Sequence, residues 1–373
     1  MTPAFPEIKK NFGFGLMRLP MCGDEVDIQE TCEMVDAFLA AGFNYFDTAH
    51  GYIGGKSETA IHAALTSRYP RESYILTDKL SYNFFNSDTE VRPYFESMLE
   101  ACGVEYFDFI LVHAVNAQNY LHYKACRTFE IASELKAEGK VRHVGLSFHD
   151  SAEVLDEILS EQPAVEVVQL QLNYLDYEDA EVQGRLCYEV CKKHGKPVIV
   201  MEPVRGGSLV NLPEAGLAEI RAAGEYSPAG YAIRYAASFE NVFMVLSGMS
   251  NMAQMQDNIA TMKDFVPFSD EEQAMVKRVA DIIRAIPTIP CTGCRYCTDG
   301  DRCPAHINIS SLFSVENKAR MFNTEDARGY YNHVVSKGGK PSDCLSCGLC
   351  EEICPQQLPI RELLREVGER MEK

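Results

Sequence analysis

The sequence contains no tryptophan among its 373 residues, few basic side chains and no long apolar run. Each shortage excludes something. A helix that crosses a bilayer needs about 20 consecutive apolar residues, and no stretch of even about 18 occurs. Lys and Arg number 35 against 54 Asp and Glu, a formal net charge of −19. No basic stripe is present that could follow a phosphate backbone, so neither nucleic acid nor a membrane is an expected partner. The opening residues MTPAFPEIKKNFGFG lack the charged, apolar and small-residue regions of a secretory signal, and a cytoplasmic protein is expected. What is plentiful is cysteine. Of 14 cysteines, eight fall within the last 83 residues at short regular gaps, a pattern of metal chemistry in a reducing compartment rather than of disulfides.

The charge divides the chain unevenly. Residues 288–373 hold 11 Lys and Arg against 12 Asp and Glu, so the first 287 carry a net charge of −18. The segment Ile286-Pro287-Thr288-Ile289-Pro290 cannot continue a helix and marks the boundary between domains 1–287 and 288–373. Upstream of it, eight short apolar runs have the length of strands: Phe12–Leu16, Phe43–Asp47, Tyr74–Thr77, Phe109–His113, Val141–Ser147, Val165–Leu172, Pro197–Met201 and Val242–Leu246. Amphipathic stretches such as Gln29–Ala41, Thr89–Cys102, Tyr123–Glu138, Asp150–Ser160, Ala180–Lys193 and Pro228–Ala237 lie between them. Strand and helix alternating eight times predict an α/β fold, a parallel (β/α)8 TIM barrel, with a doubly wound open sheet as the alternative.

Chemistry on such a barrel gathers at the C-terminal ends of the strands. Asp47 closes the second run, Tyr52 follows in the next loop, Lys79 lies just beyond the third run and His113 closes the fourth. A tyrosine, with a pKa near ~10, is a poor acid at neutral pH unless a cation stabilises its phenolate. Lys79 is placed to supply that cation, Asp47 to hold it charged, and His113 to hydrogen-bond a carbonyl oxygen that gains negative charge. Any one of the four alone reads as an ordinary polar residue at a strand end.

Together, in order and in strand position, Asp47, Tyr52, Lys79 and His113 resemble the tetrad of the aldo-keto reductase superfamily. The resemblance spans about residues 10–280 and implies a nicotinamide cofactor across the barrel mouth, with Tyr52 as proton donor to a small-molecule carbonyl substrate. It places the carboxamide contacts at Ser147 and Gln169. The pattern departs from the family at Phe148, where an Asn is common, and at Met201, where an aromatic ring is common. After the eighth run, Gly248, Ser250, Gln254 and Asn258 resemble the adenosine-end contacts of the branch that includes potassium-channel β subunits. Many members carry Lys at the position of Gly248 and Arg at that of Gln254, to pair with a 2′-phosphate. Without those cations, NADH and NADPH both remain open. Gly248 and Ser250 alone read as a capped helix start.

The C-terminal cysteines form two sets. Cys291, Cys294, Cys297 and Cys303 precede Pro304; Cys344, Cys347, Cys350 and Cys354 precede Pro355. Two-residue gaps let three thiolates turn around one corner of a cubane while the fourth ligand arrives from elsewhere. Zinc is the rival, but four ligands suffice for it and a third regularly spaced cysteine is superfluous. The second set is the bacterial ferredoxin run, and the first stretches its last gap to five residues. In two-cluster ferredoxins each run sends its fourth cysteine to the other cluster. The expected partition is therefore Cys291, Cys294, Cys297 and Cys354 on one 4Fe-4S cluster, with Cys344, Cys347, Cys350 and Cys303 on the other. Helical patterns at Ser311–Arg320 and Thr324–Val335 make this a small, mostly α-helical ferredoxin-like domain.

Three functions follow as expectations. The first is an NAD(P)H-linked oxidoreductase that exchanges electrons between a carbonyl and nicotinamide site and two 4Fe-4S clusters, with a ferredoxin or flavoprotein as external partner. The second is an ordinary carbonyl reductase whose clusters are structural or redox-sensing. The third is a non-enzymatic electron-transfer or sensor subunit. Hydride carries two electrons and a cluster moves one, a mismatch that a flavin would resolve; the sequence holds no flavin fingerprint.

Overall fold

A computed structural model describes residues 5–224, 226–291, 293–298, 302–322 and 326–372. The chain forms two compact units, Met1–Gly206 with Glu225–Ala274, and Gly207–Gly224 with Met275–Lys373. In the first unit eight parallel strands close into a barrel: β1 (Phe12–Gly15), β2 (Tyr45–Asp47), β3 (Ile75–Leu80), β4 (Phe107–Val115), β5 (Val141–Phe148), β6 (Val167–Gln171), β7 (Val198–Met201) and β8 (Val242–Gly248). Each pairs with its neighbour in sequence, and β1 closes the ring on β8 with Phe12 opposite Val245. The predicted TIM barrel is thus the observed fold, and the open sheet is excluded. Strands covered on both faces read as nearly unbroken apolar runs, which is why length rather than alternation identified them.

The helices are α1 (Ile28–Ala40), α2 (Lys56–Ile61), α3 (Asp88–Cys102), α4 (Ala117–Ala125), α5 (Thr128–Ala137), α6 (Ala152–Glu161), α7 (Gly184–Lys193), α8 (Glu214–Ala223), α9 (Pro228–Ala237), α10 (Met252–Met262), α11 (Asp270–Arg284), α12 (Ile309–Met321), α13 (Asp326–Val335), α14 (Leu349–Glu352) and α15 (Ile360–Met371). Two expectations change. The stretch Tyr123–Glu138 is two helices, broken where Arg127 takes a left-handed φ of +51°. The third strand is longer than Tyr74–Thr77, so Lys79 lies inside β3 and not beyond it. Thr324, the expected start of one helix, lies outside the described residues, and α13 is described from Asp326.

The barrel interior is filled by Tyr45, Ile75, Phe109, Leu111, Val167, Ile199, Met244 and Leu246, and Phe5 plugs the end where the strands begin. Two glycines make room for these layers. A Cβ on Gly13 would sit 2.7 Å from Leu246 and 2.9 Å from Tyr45; one on Gly145 would sit 2.5 Å from Val167. Any side chain there would push the sheet apart.

In the second unit, Ile307, Leu312, Phe313, Ile360, Leu364 and Val367 lie in one apolar core. Asn317 on α12 exchanges two hydrogen bonds with the backbone of Ile289 and so fixes the chain just before the first cysteine run. The approach to the second run is pressed against the end of the first. Ile307 pairs with Gly339 in a parallel bridge, and a Cβ on Gly339 would lie 2.1 Å from the Ala305 carbonyl. Among the described residues no helix is long and apolar enough to cross a membrane.

Candidate active site

The barrel mouth brings the four tetrad residues together. Asp47 ends β2 between Gly15 and Thr77 of the flanking strands. From β3, the fully buried Lys79 donates to Asp47 Oδ1 at 2.6 Å and to the Thr48 carbonyl at 2.7 Å. The other carboxylate oxygen accepts from Gln169 Nε2, at 3.3 Å across the barrel. Tyr52 opens a turn, Tyr52–Gly55, in which Ile53, Gly54 and Gly55 all have positive φ. That reversal turns the phenol back over the mouth. Its ring centre lies 4.9 Å from Lys79 Nζ and 6.0 Å from the His113 ring, which it meets edge to face.

His113 is aimed by a bulge in β4. The register with β5 shifts between Val112 and Val115, and Ala114 takes a φ of +49°. Ser147 Oγ accepts the Ala114 N–H at 2.7 Å and holds the kink. Ser81 Oγ lies 2.6 Å from His113 Nδ1, which fixes the ring and leaves Nε2 for a ligand. Sequence reasoning missed Ser81. It has the strand parity of Lys79, and carrying that alternation two residues further would have found it.

Burial dominates the electrostatics. The Lys79 ammonium is penalised by burial, yet the Asp47 carboxylate and the Tyr52 oxygen outweigh this and raise its pKa. Burial likewise pushes Asp47 up against the pull of Lys79. The Tyr52 phenol titrates above its ordinary value: burial is the largest cause, and Lys79 lowers it by less. Tyr52 is therefore a protonated acid in the free protein. Burial, followed by the charges of Lys79 and His149, lowers His113 to about 3, so its imidazole is neutral.

Behind β3 lies a cluster that the sequence did not announce. Glu58, Asp78 and Cys102 are all buried, with ligating atoms within 4.8 Å of one another. Burial and the adjacent Glu58 carboxyl raise Asp78 well above its ordinary value. Glu58 also binds His50 Nδ1 at 2.8 Å, two residues before Tyr52.

Of the residues expected at a nicotinamide, Ser147 and Gln169 face the mouth already engaged with Ala114 and Asp47. Phe148 is buried at the end of β5, and Met201 is half-buried at the end of β7. Gly248 ends β8, and Asn251, rather than Ser250, caps α10. Gln254 folds back to accept the Ser250 N–H at 2.8 Å, and the buried Asn258 amide donates to Ser247 Oγ at 3.0 Å.

The eight C-terminal cysteines surround two cavities. Cys291, Cys294, Cys297 and Cys354 line one; Cys303, Cys344, Cys347 and Cys350 line the other. None of the eight is in a disulfide. A tetrahedral zinc ion with Zn–S bonds of ~2.3 Å would draw its sulfurs to roughly 3.8 Å of one another. Among the described residues no three cysteine sulfurs come within 4.8 Å. Two cavities lined by four cysteines each supply the ligand number of two cubanes.

The chain belongs to the aldo/keto reductase family, whose model matches residues 11–281, and is an oxidoreductase of that type. It extends the barrel with a 4Fe-4S dicluster domain, matched over residues 290–358. It is 25% identical over 285 residues to L-galactose dehydrogenase of Arabidopsis thaliana, covering 70% of this chain and 87% of the relative. To the NADH-specific methylglyoxal reductase of Escherichia coli it is 26% identical over 195 residues, 47% of this chain and 57% of that one. An aldo-keto reductase from Bacillus halodurans in its holo form has the same fold, with TM-score 0.61, 23% identity, and coverage of 73% of this chain and 92% of that one. So does one from Klebsiella pneumoniae in complex with NADPH, with TM-score 0.59, 18% identity, and coverage of 72% and 90%.

Proposed function

We propose that the protein is an NAD(P)H-linked carbonyl oxidoreductase whose barrel exchanges electrons with two 4Fe-4S clusters. The observation that carries this reading is a protonated Tyr52 held between a buried ammonium and a neutral imidazole, in a chain that also encloses two four-cysteine cavities. When bound, the nicotinamide supplies or accepts the hydride. Tyr52 gives its proton to the carbonyl oxygen, and the Lys79 ammonium, anchored by Asp47, takes up the charge of the phenolate left behind. His113 Nε2 faces the same oxygen; being neutral, it donates without itself giving up a charge. Ser147 and Gln169 meet the carboxamide with side chains that are already positioned.

Cys291, Cys294, Cys297 and Cys354 hold one cluster, and Cys303, Cys344, Cys347 and Cys350 the other. The fourth cysteine of each run crosses to its partner run, as in two-cluster ferredoxins. When bound, two clusters would together have room for the two electrons of one hydride. Splitting the pair calls for a group that works in single and double steps, as a flavin does. An external ferredoxin or flavoprotein completes the circuit, in the cytoplasm, a reducing compartment in which cysteines stay out of disulfides. The substrate is a small carbonyl or its alcohol, in keeping with the names of the methylglyoxal and L-galactose relatives. A second reading, a carbonyl reductase with structural or sensing clusters, is favoured by a tetrad drawn wholly from β2, β3, β4 and the turn at Tyr52.

The tetrad is tested with Tyr52→Phe. The variant is expected to lose about 10²- to 10⁴-fold in kcat for reduction of methylglyoxal while binding the dinucleotide as the parent does. An unchanged kcat would overturn the assignment.

A further inference from the structure

β3 and β4 run side by side with Leu80 opposite Val112 at the end of their paired stretch. The next residues, Ser81 and His113, therefore point to the same side of the sheet, and Ser81 Oγ comes within 2.6 Å of His113 Nδ1. A phenol from α4 clamps the two chains just beyond the ladder. Tyr123 Oη accepts the Tyr82 N–H at 3.0 Å and donates to the His113 carbonyl at 2.6 Å. Ser81 is buried, so its contact with the imidazole is made away from water and between two fixed backbones.

A neutral imidazole carries one proton, so the direction of this bond decides what the other ring nitrogen can do. If Nδ1 donates to Ser81, Nε2 is bare and meets a carbonyl oxygen lone pair to lone pair. If Ser81 donates to Nδ1, the proton sits on Nε2 and points outward as a donor. Tyr94 on α3 decides between the two. Its buried phenol stacks on Phe84, with ring centres 5.5 Å apart, and bonds to Ser81. Its other acceptor, the Lys79 carbonyl, lies at 3.5 Å, long for a hydrogen bond. A phenol, with a pKa near ~10, is a better hydrogen-bond donor than an aliphatic alcohol. Tyr94 therefore donates to Ser81 Oγ, and Ser81 has its own proton left to give to Nδ1.

We propose that Ser81 is the positioning residue of His113: backed by the Tyr94 phenol, its hydroxyl donates to Nδ1 and keeps the ring proton on Nε2, where it faces the reacting oxygen. The use of that proton rests on the carbonyl reading above; its place on the ring does not. A group that can only accept, such as a carboxylate, would in the position of the hydroxyl draw the proton to Nδ1 and leave Nε2 bare.

The test is nitrogen NMR of the full-length protein carrying isotope-labelled histidine, at neutral pH, with the His113 signals assigned by their loss in His113→Gln, and kcat for methylglyoxal measured on the same samples. The parent should show a protonated Nε2 and a bare Nδ1 that accepts a hydrogen bond. In Ser81→Ala the two tautomers should mix and kcat should fall about tenfold to a hundredfold, while Ser81→Thr, which keeps the hydroxyl, restores both the spectrum and the rate. Tyr94→Phe, which removes the phenol proton, should move the Nδ1 signal in the same direction as Ser81→Ala. A parent spectrum with the proton on Nδ1, or a Ser81→Ala variant that matches the parent in spectrum and kcat, would overturn the proposal. Should Ser81→Ala fail to fold, the parent and Tyr94→Phe spectra decide the matter. A parent that turns over no carbonyl yet holds its proton on Nε2 would overturn the carbonyl reading and support the tautomer.

Discussion

His113 sits between Ser81, Tyr52 and Lys79, and its environment ties one residue to the pH dependence of the whole fold. In the unfolded chain the imidazole takes a proton as pH falls through about 6.5; in the fold, burial delays this to about 3. Over that window the unfolded state binds more protons, so stability falls as pH falls. His149, also lowered by burial, contributes with the same sign. Urea midpoints measured between about pH 7 and pH 5 should therefore decline, and less steeply in His113→Gln. An identical slope in the variant would mean that His113 is protonated in the folded state. Asp47, Tyr52, Lys79 and His113 were legible as polar residues at strand ends. The Ala114 kink and the Glu58, Asp78 and Cys102 cluster were not, because they arise from a bulge and from helices packed behind β3.

Elements were legible where composition decides them. The eight apolar runs became the eight strands, whereas the break at Arg127 and the extension of β3 through Leu80 depend on contacts that no local pattern carries. The cysteine runs lie between these cases. Their spacing suggested the crossing of ligands, and the glycines at 338 and 339 supply the close approach that brings one run beside the other. Single substitutions test the crossing at this scale. Cys354→Ser and Cys294→Ser should each remove the same cluster, and Cys303→Ser and Cys347→Ser the other, read as matching losses of iron and of one EPR signal. Loss of the same signal from Cys354→Ser and Cys347→Ser would show that each run holds its own cluster.

At the scale of the whole molecule, an acidic barrel sequence is joined to a nearly neutral cysteine-rich one, −18 against −1. Composition alone marked that change. Whether the two halves share electrons is a property of neither taken separately, since the tetrad and the sulfur cavities are each complete in themselves. The direct measurement is an anaerobic titration of the iron-loaded protein, supplied with FMN or FAD to split the hydride pair, with NADPH and then NADH, following the visible absorbance of the clusters and their low-temperature EPR. The account predicts bleaching on addition of nucleotide, with a reduced-cluster EPR signal. Tight nucleotide binding with no bleaching, in protein whose clusters a mediator dye can reduce, would contradict it and leave the barrel working on carbonyls alone.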